Sequence, residues 1–388
     1  ASNLLKQNPK LDERSVLFYS PFSSHPQNHG NKKTIYNFCS LLKSEGYKVH
    51  FVTLSNYLDF SYLKEMRKAW DTVDILTAAV PMTVNNATTF DAWYDPKVGE
   101  ELASLSFKYG TKHVLCSYIF QSKFLELLPD CFNKIIDTHD QMSSRFEKLK
   151  SKGLPLEFFS CSPQQEGRYL RRADVVISRT AKEALVFNEE MGQEKAVVVP
   201  HLEVPKEMNK KFDNLSRIGI VASSNIVNLY AVTDFLRQFI GIGLDKSLEV
   251  IIAGEVRNLI PRLSPEEQEF CKNPSVKFIG FVKDIKDFYM EVDCVVSPIT
   301  FGTGINVKTV EALSYGVPIF STKNGMKGVG SSLREHSFDS IEDLCGCLKE
   351  YRLNKKSLSN LSEKSIDCYR EYFHTNLNNF LRIFDCKY

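Results

Sequence analysis

The sequence has no Cys-x-x-Cys pair, although it carries ten cysteines, at positions 39, 116, 131, 161, 271, 294, 345, 347, 368 and 386. The tightest spacing is Cys345-Gly-Cys347, and no cysteine–histidine cluster has the spacing of a structural zinc site. Cys116 in HVLCSY and Cys294 in VDCVVSP lie in apolar runs, where a thiol packs as a small hydrophobe, so reduced structural cysteines are expected. An excess of either charge is also lacking. Lys+Arg number 49 against 47 Asp+Glu, a net +2, which argues against a nucleic-acid partner. Glycine and proline, 19 and 15 residues, are too scarce for a fibrous or disordered chain. No apolar run approaches the ~18 residues of a membrane span. Residues 1–14 lack the apolar core of a signal peptide, so the expectation is a cytoplasmic protein.

What is present is enough apolar material, 43% with 27 Phe and 16 Tyr, for two cores in 388 residues. The first half alternates short β-branched runs with segments of helical period, as in a parallel sheet covered by helices. Strands are expected at 15–20, 48–54, 73–80, 112–118, 133–139, 173–179 and 195–200. Helices are expected at 33–45, capped by Gly46, and at 97–109 and 180–191. Residues 200–216 are polar, hold two prolines and lack an apolar period, which marks a linker. A second series follows, with strands at 217–223, 248–254, 276–281, 293–298 and 317–321. From Leu358 the tail is helical and aromatic. The fold class is therefore α/β, with two Rossmann-like doubly wound domains facing a cleft. The expected divisions are 1–205, 206–365 and a helix, 366–388, returning to the first domain.

In open α/β sheets ligands bind where strands end and helices begin. The richest such place is FGTGINVKTVEALSYGVPIFST, residues 301–322. Gly302 and Gly304 permit a tight loop, and Asn306 can cap the helix that follows. Lys308 stands in that helix's first turn, where the dipole disfavours a cation unless an anion compensates. Glu311, one turn on, could accept the two hydroxyls of a ribose. The same residues also fit a plain glycine loop followed by an exposed Lys–Glu pair. Neither a dinucleotide fingerprint nor a GxxxxGK[ST] loop is present.

Pro298 through Pro318, read as P-x-x-x-G-x-G-x-x-x-K-x-x-E-A-L-x-x-G-x-P, resembles the donor-binding signature of GT-B glycosyltransferases of the family 4, or group 1, type. Looser similarities lie in VKFIGFVKDIKDFYMEVDCVVSP, in SSHPQNHGNKKTIYNFCSLLKSEGYKVHFVT and in RRADVVISRTAKEALVF. The resemblance implies transfer of a sugar from a UDP- or GDP-type nucleotide sugar, without a bound cofactor or metal. It implies that Glu311 holds the ribose and that Lys308 faces the diphosphate. Gly302, Thr303, Gly304, Ile305 and Asn306 would cradle diphosphate and sugar, and the backbone of Phe281 and Val282 would meet the base. Two departures stand out. Thr303 occupies a position where many relatives carry glutamate, and the loop ASSNIVN (222–228) lacks their basic residue, leaving Ser223 and Ser224 to meet phosphate without charge.

For the acceptor, a saccharide or lipid-linked saccharide, the candidates are His139 and Asp140 in DTHDQMSSR, either able to accept a hydroxyl proton. Capping of the next helix by Asp137 or Asp140 is the structural alternative. His25, His29, Gly30 and Asn31 could line the acceptor pocket or simply be solvated. Lys64, Arg67 and Lys68, near Trp70, form a basic helical face that fits either an anionic membrane or water. A nucleotide-sugar epimerase of the same fold and a non-catalytic nucleotide-sugar or glycan-binding module are the alternatives.

Overall fold

The computed structural model describes residues 10–151, 153, 155–206, 208–301 and 305–385. The chain divides into two compact units, one running to Leu202 and resuming at Asn376, the other spanning Glu203–Thr375. The sequence reading put its divisions at 205/206 and 365/366.

The first unit holds seven parallel strands: β1 (Asp12–Ser20), β2 (Lys48–Leu54), β3 (Thr72–Leu76), β4 (Thr111–Ser117), β5 (Asn133–Asp137), β6 (Val175–Ser178) and β7 (Ala196–Val198). Their order is β3-β2-β1-β4-β5-β6-β7. The last six residues of β1, VLFYS preceded by Ser15, are all buried, as a parallel strand covered on both faces requires. Most strands stop before the apolar runs that announce them, because the chain turns sharply at their carboxyl ends. Tyr118 and His139 adopt φ of 73° and 60° there, left-handed values rare outside glycine.

The first helix, Gly30–Ser44, begins three residues earlier than its apolar period and buries Ile35, Phe38, Cys39 and Leu42. Two later helices, Pro163–Leu170 and Ala181–Met191, start at reciprocal caps, Ser162 with Gln165 and Thr180 with Glu183. Trp93, Phe120, Phe124, Phe159 and Tyr169 belong to the unit's buried apolar core.

The second unit has β8 (Arg217–Val221), β9 (Glu249–Ala253), β10 (Val276–Gly280), β11 (Cys294–Ser297) and β12 (Ile319–Ser321), all parallel, in the order β10-β9-β8-β11-β12. Both units are thus doubly wound, reversing direction beside their first strand. The polar stretch 200–216 contains no helix or strand among its described residues, yet it is not a free linker. Phe212 and Leu215 are buried, and Lys206 N–H donates to Ser314 O at 2.7 Å.

The last helix, Ser359–Asp385, is continuous over 27 residues. Its early turns belong to the second unit, where Ser365 Oγ lies 3.0 Å from His336 Nε2 and Tyr369 donates to Glu203 O at 2.6 Å. Its last turns belong to the first, where Phe380 packs 4.5 Å from Phe38 and Asn133 Nδ2 donates to Ile383 O at 2.8 Å.

Candidate functional site

In the second unit the sheet reverses between β8 and β11, and a small cavity opens there, lined by Val221, Ala222, Asn228, Ser297, Asn306 and Lys308. Two helices start at its rim. Asn225 caps Ile226–Gly241 by accepting from Asn228 N–H, and Asn306 caps Val307–Ser314 by accepting from Lys308 N–H. Both ends present free N–H groups and the positive end of a helix dipole. Asn306 is itself held, donating from Nδ2 to Ser297 Oγ at 3.0 Å.

Lys308 does not point to water. Its ammonium donates to Ser223 Oγ at 2.9 Å, and Asn228 Nδ2 donates to the same hydroxyl at 3.0 Å. Burial lowers the Lys308 pKa to about 8, against the opposing pull of Glu311. A buried cation among helix N-termini is a seat for an anion. Glu311 is buried at 7% exposure. Ser224 is exposed on the same loop, and Ile305 is partly buried against Gly328, where a Cβ would approach Ile305 Cγ1 to 2.8 Å. Phe281 is 64% exposed beyond β10, with Val282 after it. Gly302, Thr303 and Gly304 lie outside the described residues.

In the first unit the sheet reverses between β1 and β4, and four loops meet at that end. Asn31 Nδ2 donates to the Tyr118 hydroxyl at 3.0 Å, and the Tyr118 ring stacks on His139 at 4.3 Å. His139 Nε2 stands 3.2 Å from Asp137 Oδ2, and Arg179 donates to the other oxygen of that wholly buried carboxylate. Burial lowers the His139 pKa to about 4, Asp137 opposing, so the imidazole is neutral at pH 7. Burial raises the Asp140 carboxyl, while Arg145, 3.7 Å away, opposes the rise. Gly30 opens the first helix and His29 precedes it as an exposed N-cap residue. His25 is set apart: its ring packs 5.2 Å from Tyr36 and 6.1 Å from Trp70, and its Nδ1 lies 2.9 Å from Ser24 Oγ.

The sequence reading did not single out Tyr118 or Arg179 for the site. A tyrosine and an arginine standing directly after β4 and β6 were the available signals, since strand ends of this fold carry its chemistry. Among the described residues no group of three or more His, Cys, Asp or Glu side chains is arranged to hold a metal ion.

Residues 216–337 match the family described as Glycosyl transferases group 1. The match lies wholly within the second unit. Its matched span contains β8 to β12, Ser223, Lys308 and Glu311. Over nearly its whole length the chain has the GT-B architecture of solved glycosyltransferases. It superposes on HepE of Anabaena, in complex with UDP and glucose, with a TM-score of 0.65 at 13% identity, covering 96% of this chain and 99% of that one. Sucrose-phosphate synthase from Thermosynechococcus elongatus gives 0.68 at 12% identity, with coverage of 96% and 98%. A TarM variant from S. aureus, in complex with fondaparinux, alpha-GlcNAc-glycerol and UDP, gives 0.68 at 11%, with coverage of 96% and 100%. At these identities the likeness is one of fold. No curated protein sequence matches the chain.

Proposed function

We propose that the protein transfers a glycosyl group from a nucleotide-diphosphate sugar, of UDP or GDP type, to a hydroxyl of a saccharide or lipid-linked saccharide. Such a step would build a polysaccharide or glycoconjugate. The observation that carries the reading is the Lys308 ammonium held beside two helix N-termini at the switch point of a group 1 domain. In the reaction the bond from the anomeric carbon to the diphosphate breaks, and charge gathers on the departing diphosphate. Lys308 and the helix-terminal amides are aimed where that charge develops, the arrangement that contributes most in acyl and phosphoryl chemistry alike. Glu311 would hold the ribose, Ile305 and Asn306 would flank the diphosphate and sugar, and Phe281 with Val282 would meet the base. Neutral His139 or Asp140 would take the acceptor's proton, with Asn31, Gly30 and His29 lining that side. UDP in the HepE and TarM complexes supports a UDP-type donor.

A surface feature supports the lipid-linked acceptor. In the helix Leu63–Ala69, Met66 is fully buried, and Trp70 just after it donates from Nε1 to Ser24 Oγ at 2.9 Å. The opposite stripe, Lys64, Arg67 and Lys68, is exposed, and Phe60, one turn earlier, is 58% exposed. An exposed aromatic beside three cations suits an anionic lipid surface, at about 1 kcal/mol per cation. Among the described residues no helix is long and apolar enough to cross a membrane. Contact would therefore be peripheral, at a cytoplasmic face. Sedimentation with anionic vesicles, lost on reversing the three charges and absent with zwitterionic vesicles, tests it.

The main test is a panel of nucleotide sugars read by thermal shift and by slow donor hydrolysis. Binding with hydrolysis is expected. Isomerised product would favour an epimerase, and binding without turnover would favour an inert module, which the uncharged 222–228 loop keeps in view.

A further inference from the structure

The loop that carries His139 and Asp140 is strained at both ends. His139 and Ser144 have φ of 60° and 53°, left-handed values that non-glycine residues hold only when their surroundings impose them. Between the two, Glu166 closes a clamp. Its Oε1 accepts from Met142 N–H at 2.7 Å and its Oε2 from Ser143 N–H at 2.9 Å. Glu166 is completely buried on the helix Pro163–Leu170. Against it stands a second carboxyl, Glu190, from the helix Ala181–Met191. Gly167 makes this approach possible, since a Cβ there would lie 2.0 Å from Glu190 O. Glu190 Oε2 is buried and has no hydrogen-bond donor facing it. Two ionised carboxylates cannot share such a site, and a proton on Glu190 lets it donate to ionised Glu166.

We propose that Glu166 is a positioning residue for the His139–Asp140 loop, and that it holds the loop only while Glu190 supplies the shared proton. The proposal takes that loop as the reactive one from the function proposed above; the clamp itself does not depend on it. Other charged or titratable groups around the pair do not replace the proton. Lys148, on the helix Arg145–Ser151, donates to Ser143 O at 3.2 Å, and its charge and the Ser143 hydroxyl oppose the rise of Glu190 without cancelling it. Arg171 donates to the carbonyls of Glu190 and Met191 at 3.3 and 3.1 Å. The Cys161 thiol is pushed up by burial and by both glutamates, so it stays neutral. When Glu190 ionises, its proton leaves to solvent, and the two carboxylates repel until one abandons its place.

The direction with pH follows. Burial raises both carboxyls, Glu190 to about 8, with Glu166 adding to the rise. A raised acid stabilises the fold fully below the ordinary carboxyl range, and that contribution is lost as pH climbs through about 8. Amide hydrogen exchange of the full chain tests this without any substrate. Protection of Met142 and Ser143, corrected for intrinsic exchange, is expected to fall at least tenfold between pH 6.5 and 9. Glu190→Gln, which donates without a titrating proton, should keep protection at both values. In donor hydrolysis deprotonation of Lys308 lowers kcat over the same window in both proteins, so the test is the difference: the wild type should lose more kcat than Glu190→Gln. Glu166→Gln should lower kcat about tenfold and leave the donor KM unchanged. Constant wild-type protection from pH 6.5 to 9, or unchanged kcat in Glu166→Gln, overturns the proposal. Protection that follows pH as stated in a protein that hydrolyses no donor would sink the proposed function and leave the clamp standing.

Discussion

At the carboxyl ends of its strands the seven-stranded unit buries Asp137, Arg179 and Glu183, whereas the five-stranded unit presents serines, asparagines and one lysine in the same place. Strain divides the same way. Of the six described non-glycine residues with positive φ, Asp91, Tyr118, His139, Ser144 and Phe158 lie in the first unit and only Lys355 in the second. Pairing buried charge is a costly arrangement, and on the proposed function it would fix the geometry of the acceptor side. In the second unit, on the same reading, the polar groups and helix ends would hold an anion. A small change should be felt differently in each: as lost stability in the first, as lost affinity in the second.

The sharpest break of that contrast is Arg179→Ala. Arg179 donates to Asp137, to Val199 O at 3.0 Å, and lies over the Phe38 ring at 5.1 Å. Its removal strands a buried carboxylate, at a cost of about 3–5 kcal/mol, read as a lower urea midpoint of that unit. Replacing Asp137 and Arg179 together by apolar residues should cost less than replacing Arg179 alone. If the single variant unfolds normally, buried charge is not what orders the first unit.

Lys308→Met is the matching test in the second unit. A charged hydrogen bond contributes about 1.5–3 kcal/mol, so UDP affinity should fall about 10- to 100-fold by calorimetry. Stability should move the other way. A lysine lowered to about 8 adds stability above its ordinary pKa and loses it as pH falls through 8, so at pH 7 its charge is a burden on the empty site. The variant should melt no lower than the wild type. Affinity and stability falling together would mean that Lys308 is structural.

The same pKa gives a milder perturbation without any mutation. On the proposed function UDP binding needs the ammonium, so affinity should decline as pH rises through about 8, by about tenfold between pH 7 and 9. Lys308→Met should lack this decline. A wild-type affinity flat across that range would remove Lys308 from the phosphate.

This division also explains what could be read in the sequence. The strands were legible because each is a short β-branched run, and the capped helix that carries Lys308 and Glu311 because Asn306, Lys308 and Glu311 sit within six residues. The first unit's network was not. Arg179 reaches Asp137 across 42 positions and Glu166 reaches Met142 across 24, and no local period records such pairings. Strand ends were overrun for the same reason. The apolar run continues through Tyr118, but the backbone turns there at a φ of 73°, and the Tyr118 hydroxyl meets Asn31, 87 residues away. Even in the loop after β8, Ser223 could be named from the sequence, while its bond to Lys308, 85 residues on, could not.

That bond supplies the smallest and finest test. Ser223→Ala removes the hydroxyl that accepts from Lys308 Nζ, yet Asn228 Nδ2 keeps its bond to Ser223 O at 3.0 Å and Asn225 keeps its cap. The loop should hold its shape and only the ammonium should lose an anchor, weakening UDP by about 0.5–1.5 kcal/mol, roughly two- to tenfold. Because the lost bond favours the charged lysine, the pH midpoint of UDP affinity should also move down. A loss as large as that of Lys308→Met would mean that the hydroxyl meets the phosphate itself. An upward shift of the midpoint would mean that Ser223 restrains the lysine rather than stabilising its charge.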